Sequence, residues 1–285
     1  MVQSPFESTR LKIVRAYGHM KALNREVDAA LELQPNGVIG QIEPKSGDKV
    51  YRADLVWQPP REWGLLLGDF VHNLRSALDH MVWDLVLANP NSERPDSDTE
   101  FPIYADATRY ALKHEAPRKL RGVLSTALDA IEQAQPYHAA NPTFSPLWAL
   151  RELDIADKHR TLLLTGSIAR LRFYGHYGGL REPPVLTGPT FDDGDEVFRI
   201  PARTHAEQQL HPSFSCDVAL GVRGPFGGLP IRQASQMLYG AVSRHVHKVA
   251  ADVYGMSPAD NRFHPHVDDP NPVATVPPRC RVDEV

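Results

Sequence analysis

Seven ionisable or amide side chains lie between Trp63 and Leu87, where the spacing of the apolar residues otherwise predicts a buried helix. They are Asp69, His72, Asn73, Arg75, Asp79, His80 and Asp84. An imidazole can take up or release a proton near neutral pH, and a guanidinium matches the oxygens of a phosphate. Because such groups are costly to remove from water without partners, their number on one core helix indicates a polar site.

The polar residues of this helix form a stripe opposite its apolar face. At about 100° per residue, the apolar face carries Leu67, Phe70, Leu74, Leu78, Met81 and Leu85. The opposite face carries Asp69, Asn73, Ser76, His80 and Asp84. A solvated face usually carries Lys and Glu, yet no lysine occurs between Lys49 and Lys113. An enclosed polar site is the favoured interpretation, and an amphipathic helix with a solvated face is the alternative.

A second helix, predicted over residues 146–160, carries two acids within its apolar stripe. Its apolar face is defined by Leu147, Leu150 and Leu153, and Asp154 and Asp157 lie on that face. Unpaired buried carboxylates are strongly destabilising, so the two helices are expected to pack together with one acid paired to Arg75 or to a histidine. Lys158, His159 and Arg160 follow at the C-terminal end, where the helix dipole favours positive charge. A purely structural salt bridge is the alternative to a functional site.

The segment Arg75-Ser-Ala-Leu-Asp-His80 resembles the Arg-x(4–6)-His motif of the HEPN superfamily, helical bundles that include many metal-independent endoribonucleases. The resemblance implies cleavage of single-stranded RNA without a cofactor. It implies that His80 acts as general base or acid on the ribose 2′-hydroxyl while Arg75 stabilises charge on the phosphate. The expected supporting polar site consists of Asp69, His72, Asn73, Asp79, Asp154, Asp157 and His159.

Two further interpretations stay open for the same residues. Asp69-x-x-His72 and Asp154-x-x-Asp157 have the spacing of carboxylate-rich metal sites in helical bundles, with a divalent transition metal as cofactor and His80 or His159 as a further ligand. The predicted metal ligands are then Asp69, His72, His80, Asp154 and Asp157. The third interpretation is a non-catalytic module that dimerises through pairs such as Arg75–Asp79. RNA and a second copy of the chain are the partners that these interpretations imply.

The segments G-D-F-V-H-N-L-R-S-A-L-D-H and D-I-A-D-K-H-R occur together here as they do in a group of bacterial proteins of no assigned activity, which residues 60–255 resemble. The resemblance implies no reaction. It suggests that the two segments belong to one site.

Composition and charge limit the classes of function. The chain has 285 residues and a formal net charge of −4, so no global positive charge favours binding to duplex DNA. Cys216 and Cys280 form neither a disulfide framework nor a zinc motif, which suits a reducing compartment. The N-terminal residues lack the apolar run of a signal peptide, and no apolar segment approaches the ~18 residues of a membrane span. A cytoplasmic protein without a membrane partner is expected.

The predicted elements define an α+β fold, a helical bundle packed against a small antiparallel sheet. A single domain is expected over residues 1–255, with a helical core at 60–160 and strands within 161–222. The predicted elements are a helix at 6–33, a hairpin at 37–57, helices at 61–88, 105–115, 117–134 and 146–160, strands at 161–174, 196–200 and 213–222, and a helix at 230–254. Residues 256–285, rich in proline and aspartate, are expected to form a disordered tail.

Overall fold

The fold is α+β, as predicted. A computed structural model describes residues 6–33, 37–55, 58–162, 164–174, 191–202, 211–221, 224–257, 263 and 281–284, with the backbone alone at 166–174, 211–216 and 281–284. The helices are α1 (Glu7–Leu33), α2 (Arg61–Leu87), α3 (Ala107–Tyr110), α4 (Ala116–Lys119), α5 (Ser125–Gln133), α6 (Pro146–His159) and α7 (Ile231–Tyr254). The strands are β1 (Gly37–Ile42), β2 (Lys49–Asp54), β3 (Leu164–Tyr174), β4 (Glu196–Ile200), β5 (His211–Leu220) and β6 (Arg281–Glu284).

The strands form two sheets. The larger has the order β4-β2-β1-β6, in which β2 pairs antiparallel with both β1 and β4, and β6 runs parallel to β1. The predicted hairpin is confirmed, since Gly37 pairs with Asp54 and Ile42 with Lys49. Strands β3 and β5 form a separate antiparallel pair. The expected single sheet is therefore divided into two.

The helical core surrounds α2. All six residues of its predicted apolar face are at most 1% exposed, which confirms the helical assignment and the orientation of that face. Contacts of Ser8 with Asp84 and of His19 with Asp69 show that α1 runs antiparallel to α2. Helices α6 and α7 complete the core. Among the described helices, none combines the length and apolar character that a membrane crossing requires.

The region between α2 and α6 is more broken than predicted. Where helices were expected over 105–115 and 117–134, the structure has the short α3 and α4 and the separate α5. Gly122 ends this series of short turns because its backbone takes a positive φ of 85°. A Cβ at Gly122 would lie 1.9 Å from Ser92 Oγ, so the chain makes a close approach there that the helical periodicity could not reveal.

The predicted disorder of the tail is wrong for part of it. Residues 281–284 form β6, which pairs with β1 over Gly37–Gly40, and Phe263 is fully buried. Pairing with β6 satisfies backbone groups on the edge of β1 that would otherwise lack partners. The proline-rich and aspartate-rich composition of the tail predicts disorder. Composition carries no information about β1, the strand partner, which is distant in the sequence. The rest of the tail lies outside the described residues.

Candidate functional site

Two glycines of α2 allow α6 and the segment that follows it to approach the α2 backbone. A Cβ at Gly64 would lie 2.3 Å from the carbonyl oxygen of Leu162, and one at Gly68 would lie 2.1 Å from Asp157 Oδ1. Glycines four residues apart lie on one helix face, so they form a smooth surface for α6. Ser145 starts α6 by accepting a hydrogen bond from the backbone N–H of Trp148. The glycines thereby position the acids of α6.

Asp154 of α6 pairs with His72 of α2, which confirms the predicted pairing of an α6 acid with an α2 histidine. Asp154 Oδ1 lies 3.4 Å from His72 Nδ1, and Oδ2 lies 2.6 Å from Lys158 Nζ. The Asp154 side chain is only 4% exposed, whereas that of His72 is 55% exposed. A buried carboxylate therefore lies beside an imidazole that solvent can reach. An imidazole with a neighbouring acid is the pair of groups that a histidine general base uses.

The second ring nitrogen of His72 faces a hydroxyl. Ser76 Oγ lies 3.4 Å from His72 Nε2, so serine, imidazole and carboxylate follow one another as in a catalytic triad. Ser76 lies within the continuous helix α2, where backbone N–H groups bond along the helix and cannot stabilise an oxyanion. We therefore interpret the Ser76 hydroxyl as a hydrogen-bond partner of the imidazole and not as a nucleophile.

Asp157 lies one helical turn beyond Asp154, half-buried against Gly68. Burial raises the pKa of the Asp157 carboxyl above its usual range, and the nearby carboxylates of Asp154 and Asp69 raise it further. His72 opposes this shift. A carboxyl group with a raised pKa therefore lies beside the His72–Asp154 pair.

Arg75 and Asp79 hold both backbone groups of Phe101. The Phe101 N–H donates to Asp79 Oδ1 at 2.8 Å, and the Phe101 carbonyl accepts from Arg75 Nη2 at 2.9 Å. The two side chains also pair with each other, with Arg75 Nη1 2.9 Å from Asp79 Oδ1. Burial raises the pKa of Asp79, although Arg75 and the Phe101 N–H oppose it. Arg75 thus has a structural role in fixing the segment around Phe101.

Arg75 also lines a polar cavity of about 210 Å³ between α2, α4 and α6, which we call the basic pocket. Its described lining is Arg75, Glu100, Phe101, Ile103, Tyr104, Arg109, Glu115, Lys119, Arg151, Asp154, Ile155 and Lys158. Five of these lining side chains are cationic and three are acidic, and two further acids, Asp79 and Glu152, pair with Arg75 and Arg151 from outside the lining. The volume is below the ~300–1,000 Å³ of typical small-molecule sites, which suits a single charged group such as a phosphate.

Two acids hold the cations of the basic pocket in place. Glu100 lies 3.6 Å from Arg75 Nη2 and 2.6 Å from Lys119 Nζ. Glu115 pairs with Arg109 at 3.2 Å and accepts a short hydrogen bond from the Tyr104 hydroxyl. Because Asp154 lines the pocket and contacts His72, the pocket and the imidazole share one wall.

The polar stripe of α2 faces α1. His19 Nδ1 of α1 lies 3.9 Å from Asp69, and burial followed by the charge of Lys12 lowers the pKa of His80. Asn73 donates a hydrogen bond to the backbone carbonyl of Asp69. The stripe is therefore partly covered by a neighbouring helix.

The structure does not join Arg75 with His80. Residues five apart on a helix point about 140° away from each other, and no hydrogen bond or ion pair between these two side chains occurs in the described structure. Neither His80 nor His72 is among the described lining residues of the basic pocket, but only His72 pairs with a residue of its wall, Asp154. His159 is exposed in the last turn of α6. The residues that come together are thus His72, Asp154 and Asp157. Arg75 lines the same pocket as Asp154.

The metal interpretation receives no support from the geometry. Within the residues that the structure describes, no three or more His, Cys, Asp or Glu side chains are grouped so that they could hold a metal ion. Its ligand set of Asp69, His72, His80, Asp154 and Asp157 is divided because His80 lies toward Lys12 of α1.

A larger cavity of about 540 Å³ lies beyond the C-terminal end of α6, and its lining is more apolar. Leu153, Leu162, Phe191, Leu220 and Pro225 supply apolar walls. None of the predicted site residues is among its described lining residues. It is a separate feature from the His72 site.

The chain matches no family model, no curated protein and no solved structure among those with which it was compared. The site therefore rests on its own geometry. Sequence reasoning missed the cations and acids of the basic pocket because they come from three separate segments. They are Glu100, Arg109, Glu115, Lys119, Arg151 and Lys158. The available signal was the basic run of α4, Arg118-Lys119, following the acidic loop that ends at Glu100.

Proposed function

We propose that the protein is a metal-independent endoribonuclease that cleaves single-stranded RNA at the junction of α2 and α6. The observation that carries this proposal is the His72–Asp154 pair, which shares a wall with the basic pocket. A phosphodiester needs cations to bind and stabilise the phosphate, and an imidazole to remove the proton of the ribose 2′-hydroxyl. The resemblance of Arg75–His80 to the HEPN motif supports the same class of reaction.

In the proposed reaction His72, oriented by Asp154, is the general base. Its Nε2 takes the proton of a 2′-hydroxyl that approaches the exposed side of the imidazole. Arg75, Arg109 and Lys119 surround the phosphate in the basic pocket. The 2′-oxygen attacks the phosphorus, and the product carries a 2′,3′-cyclic phosphate. A general-base role for His80 remains a prediction from the sequence, and the variants below distinguish the two histidines.

The test uses a single-stranded RNA oligonucleotide with a fluorophore and a quencher, in buffer containing EDTA. We expect cleavage by the wild type, 2′,3′-cyclic phosphate ends by mass spectrometry, and a loss of about 10²–10⁴-fold for His72→Ala. The matched control is His138→Ala, which removes a histidine that pairs with Glu132 outside the site. We expect His80→Ala to keep most of the activity because His80 lies toward Lys12 of α1 and forms no ion pair with Asp154 or Arg75 in the described structure.

Three outcomes would overturn parts of this proposal. A wild type that cleaves no RNA removes the function, provided that its melting curve shows a folded protein. Full activity of His72→Ala removes the assigned base, and loss of activity in His80→Ala alone restores the assignment made from the HEPN resemblance. Loss of activity in Ser76→Ala together with a covalent phosphoserine would make Ser76 the nucleophile.

The basic pocket gives a second, independent test. We expect Arg109→Ala to weaken RNA binding and to reduce the slope of log Kd against log salt. RNA that binds with one phosphate contact fewer releases fewer counterions. Arg121→Ala is the matched control, since Arg109 and Arg121 are similarly exposed, at 61% and 65%, and each pairs with one carboxylate. Equal effects of the two variants would show that the pocket does not bind the RNA.

The proposed setting is the cytoplasm, where single-stranded RNA is present, and a homodimer is part of the proposal. Exposed apolar residues of α2, Leu65, Trp83 and Leu87, support an interface on its outer surface. Light scattering of the purified chain tests this point, and a monomer at all concentrations would exclude the dimer.

A further inference from the structure

Acid–base cleavage of RNA needs a group that protonates the departing 5′-oxygen, and the geometry offers one beside His72. Asp157 lies three residues after Asp154 on the same face of α6, half-buried against the backbone of α2 at Gly68. Because Gly68 has no side chain, the carboxyl approaches the helix within a distance that a Cβ would block. Asp157 is thereby held next to the His72–Asp154 pair.

Burial and the two neighbouring carboxylates favour the protonated form of Asp157, and His72 opposes it. Helix α2 contributes Asp69 and His72, α6 contributes Asp154, and α1 contributes His19, which lies 3.9 Å from Asp69. The cation nearest to the pair, Lys158, is bound to Asp154 Oδ2. In the described part of the chain, no ion pair involves Asp157, so two neighbouring carboxylates act on it without a bound cation.

We propose that Asp157 is the general acid of the reaction and donates its proton to the 5′-oxygen that leaves the phosphorus. This role rests on the proposed function. His72 Nε2 takes the 2′-hydroxyl proton, the bond from the 2′-oxygen to phosphorus forms, and the bond from phosphorus to the 5′-oxygen breaks. The Asp157 proton goes to that oxygen, which leaves as a hydroxyl. Solvent then removes the proton from His72 and returns one to Asp157.

The assignment of the two roles follows from the surroundings of the two groups. Burial together with Asp154 and Asp69 raises the pKa of Asp157, which favours the proton-carrying form that an acid needs. A base must be accessible, and the His72 side chain is 55% exposed with its Nδ1 3.4 Å from Asp154 Oδ1. Environments that separate an acid from a base in this way are typical of catalytic pairs.

The experiment compares two substrates that differ only in their need for an acid. One is an RNA dinucleotide, whose 5′-oxygen is a poor leaving group, and the other is a nucleoside 3′-(p-nitrophenyl phosphate), whose nitrophenolate leaves without protonation. For Asp157→Asn we expect a loss of about 10²–10⁴-fold on the dinucleotide and a change within a few-fold on the nitrophenyl ester. We expect His72→Ala to lose activity on both substrates, because both need the base.

The pH profile gives a second readout, which a merely structural role would not move. Wild-type kcat on the dinucleotide should fall at high pH as Asp157 loses its proton, and Asp157→Asn should lack this fall. Asp157→Glu should restore part of the activity and of the fall. Asp129→Asn, an exposed acid of α5, is the control and should match the wild type.

Each outcome decides a different point. Equal losses of Asp157→Asn on both substrates overturn the acid role and leave the endoribonuclease intact. Unchanged activity of Asp157→Asn on the dinucleotide also overturns it. A folded wild type that cleaves neither substrate overturns both the endoribonuclease and the acid.

Discussion

Glu100 lies where an anionic ligand of the basic pocket would bind. Its carboxylate contacts both Arg75 and Lys119 and is 43% exposed. A bound phosphate would compete with this carboxylate for the same two cations, and the negative charge of Glu100 would repel it. The glutamate therefore keeps the cations ordered in the free protein and lowers the affinity of the pocket for anions.

Replacing this acid should strengthen the binding of RNA. We expect Glu100→Gln to lower the Kd for a labelled single-stranded RNA by between about 1.5-fold and fivefold, the size of an exposed ion pair. Fluorescence anisotropy at fixed salt measures the change. The control is Glu26→Gln, an exposed glutamate of α1, which should leave the Kd unchanged. An equal or higher Kd for Glu100→Gln would contradict a ligand role for its two cations.

The sequence allowed some of these residue roles to be predicted and not others. The need of Asp154 for a partner followed from its place in an apolar stripe, and His72 is that partner. The structural role of Arg75 in holding Phe101 could not be predicted, because the backbone groups that it binds belong to a loop. Glu100 was missed for the same reason.

At the level of elements, the contact of α2 with α6 depends on Gly68, and its contact with the segment after α6 depends on Gly64. In the sequence these glycines do not differ from other residues of a hydrophobic helix. The pattern of apolar residues therefore predicted α2 and its apolar face, but not the close approach of residues 157–162 to the α2 backbone. The bounds of α2 and α6 were predicted within one residue because their periodicity is regular. The bounds of the short helices α3, α4 and α5 were not predicted, because they depend on tertiary contacts such as that of Gly122 with Ser92.

Adding one methyl group at Gly64 should destabilise the protein. The new Cβ of Gly64→Ala would lie 2.3 Å from a backbone oxygen of Leu162, which cannot rotate away as a side chain would. We expect a loss of about 1–3 kcal/mol in the free energy of unfolding, measured in urea. The control is Gly18→Ala in α1, where a Cβ meets nothing within 4 Å and where the better helix former should add about 0.5–1 kcal/mol. Two changes of the same sign would contradict this account of the contact.

At the level of the whole molecule, a buried group of charges joins α1, β5 and α7. Arg232 of α7 lies 2.5 Å from Asp28 of α1 and 3.4 Å from Asp217 of β5. The side chains of Arg232 and Asp217 are 2% and 1% exposed. Burial raises the pKa of Asp217 to about 6, although Arg232 opposes it. The group therefore couples the packing of three distant segments to pH.

This coupling predicts a loss of stability as the pH rises. The folded chain holds the Asp217 proton up to about pH 6, whereas the unfolded chain releases it near pH 4, so stability falls through that window. We expect the difference in unfolding free energy between the wild type and Asp217→Asn to decrease by on the order of 2–3 kcal/mol between pH 4 and pH 7. Urea titrations measure it, with the exposed Asp129→Asn as control. A difference that is constant with pH would contradict the buried titration.

Strand β6 has a consequence for how the sheet is assembled. More than two hundred residues separate β1 from the partner that covers its outer edge, while β2 follows β1 after one short turn. The hairpin can thus form early in synthesis, but its free edge stays available to strands of other chains until residues 281–284 have left the ribosome. Nascent chains that stall before that point are the species in which we expect aggregation to start.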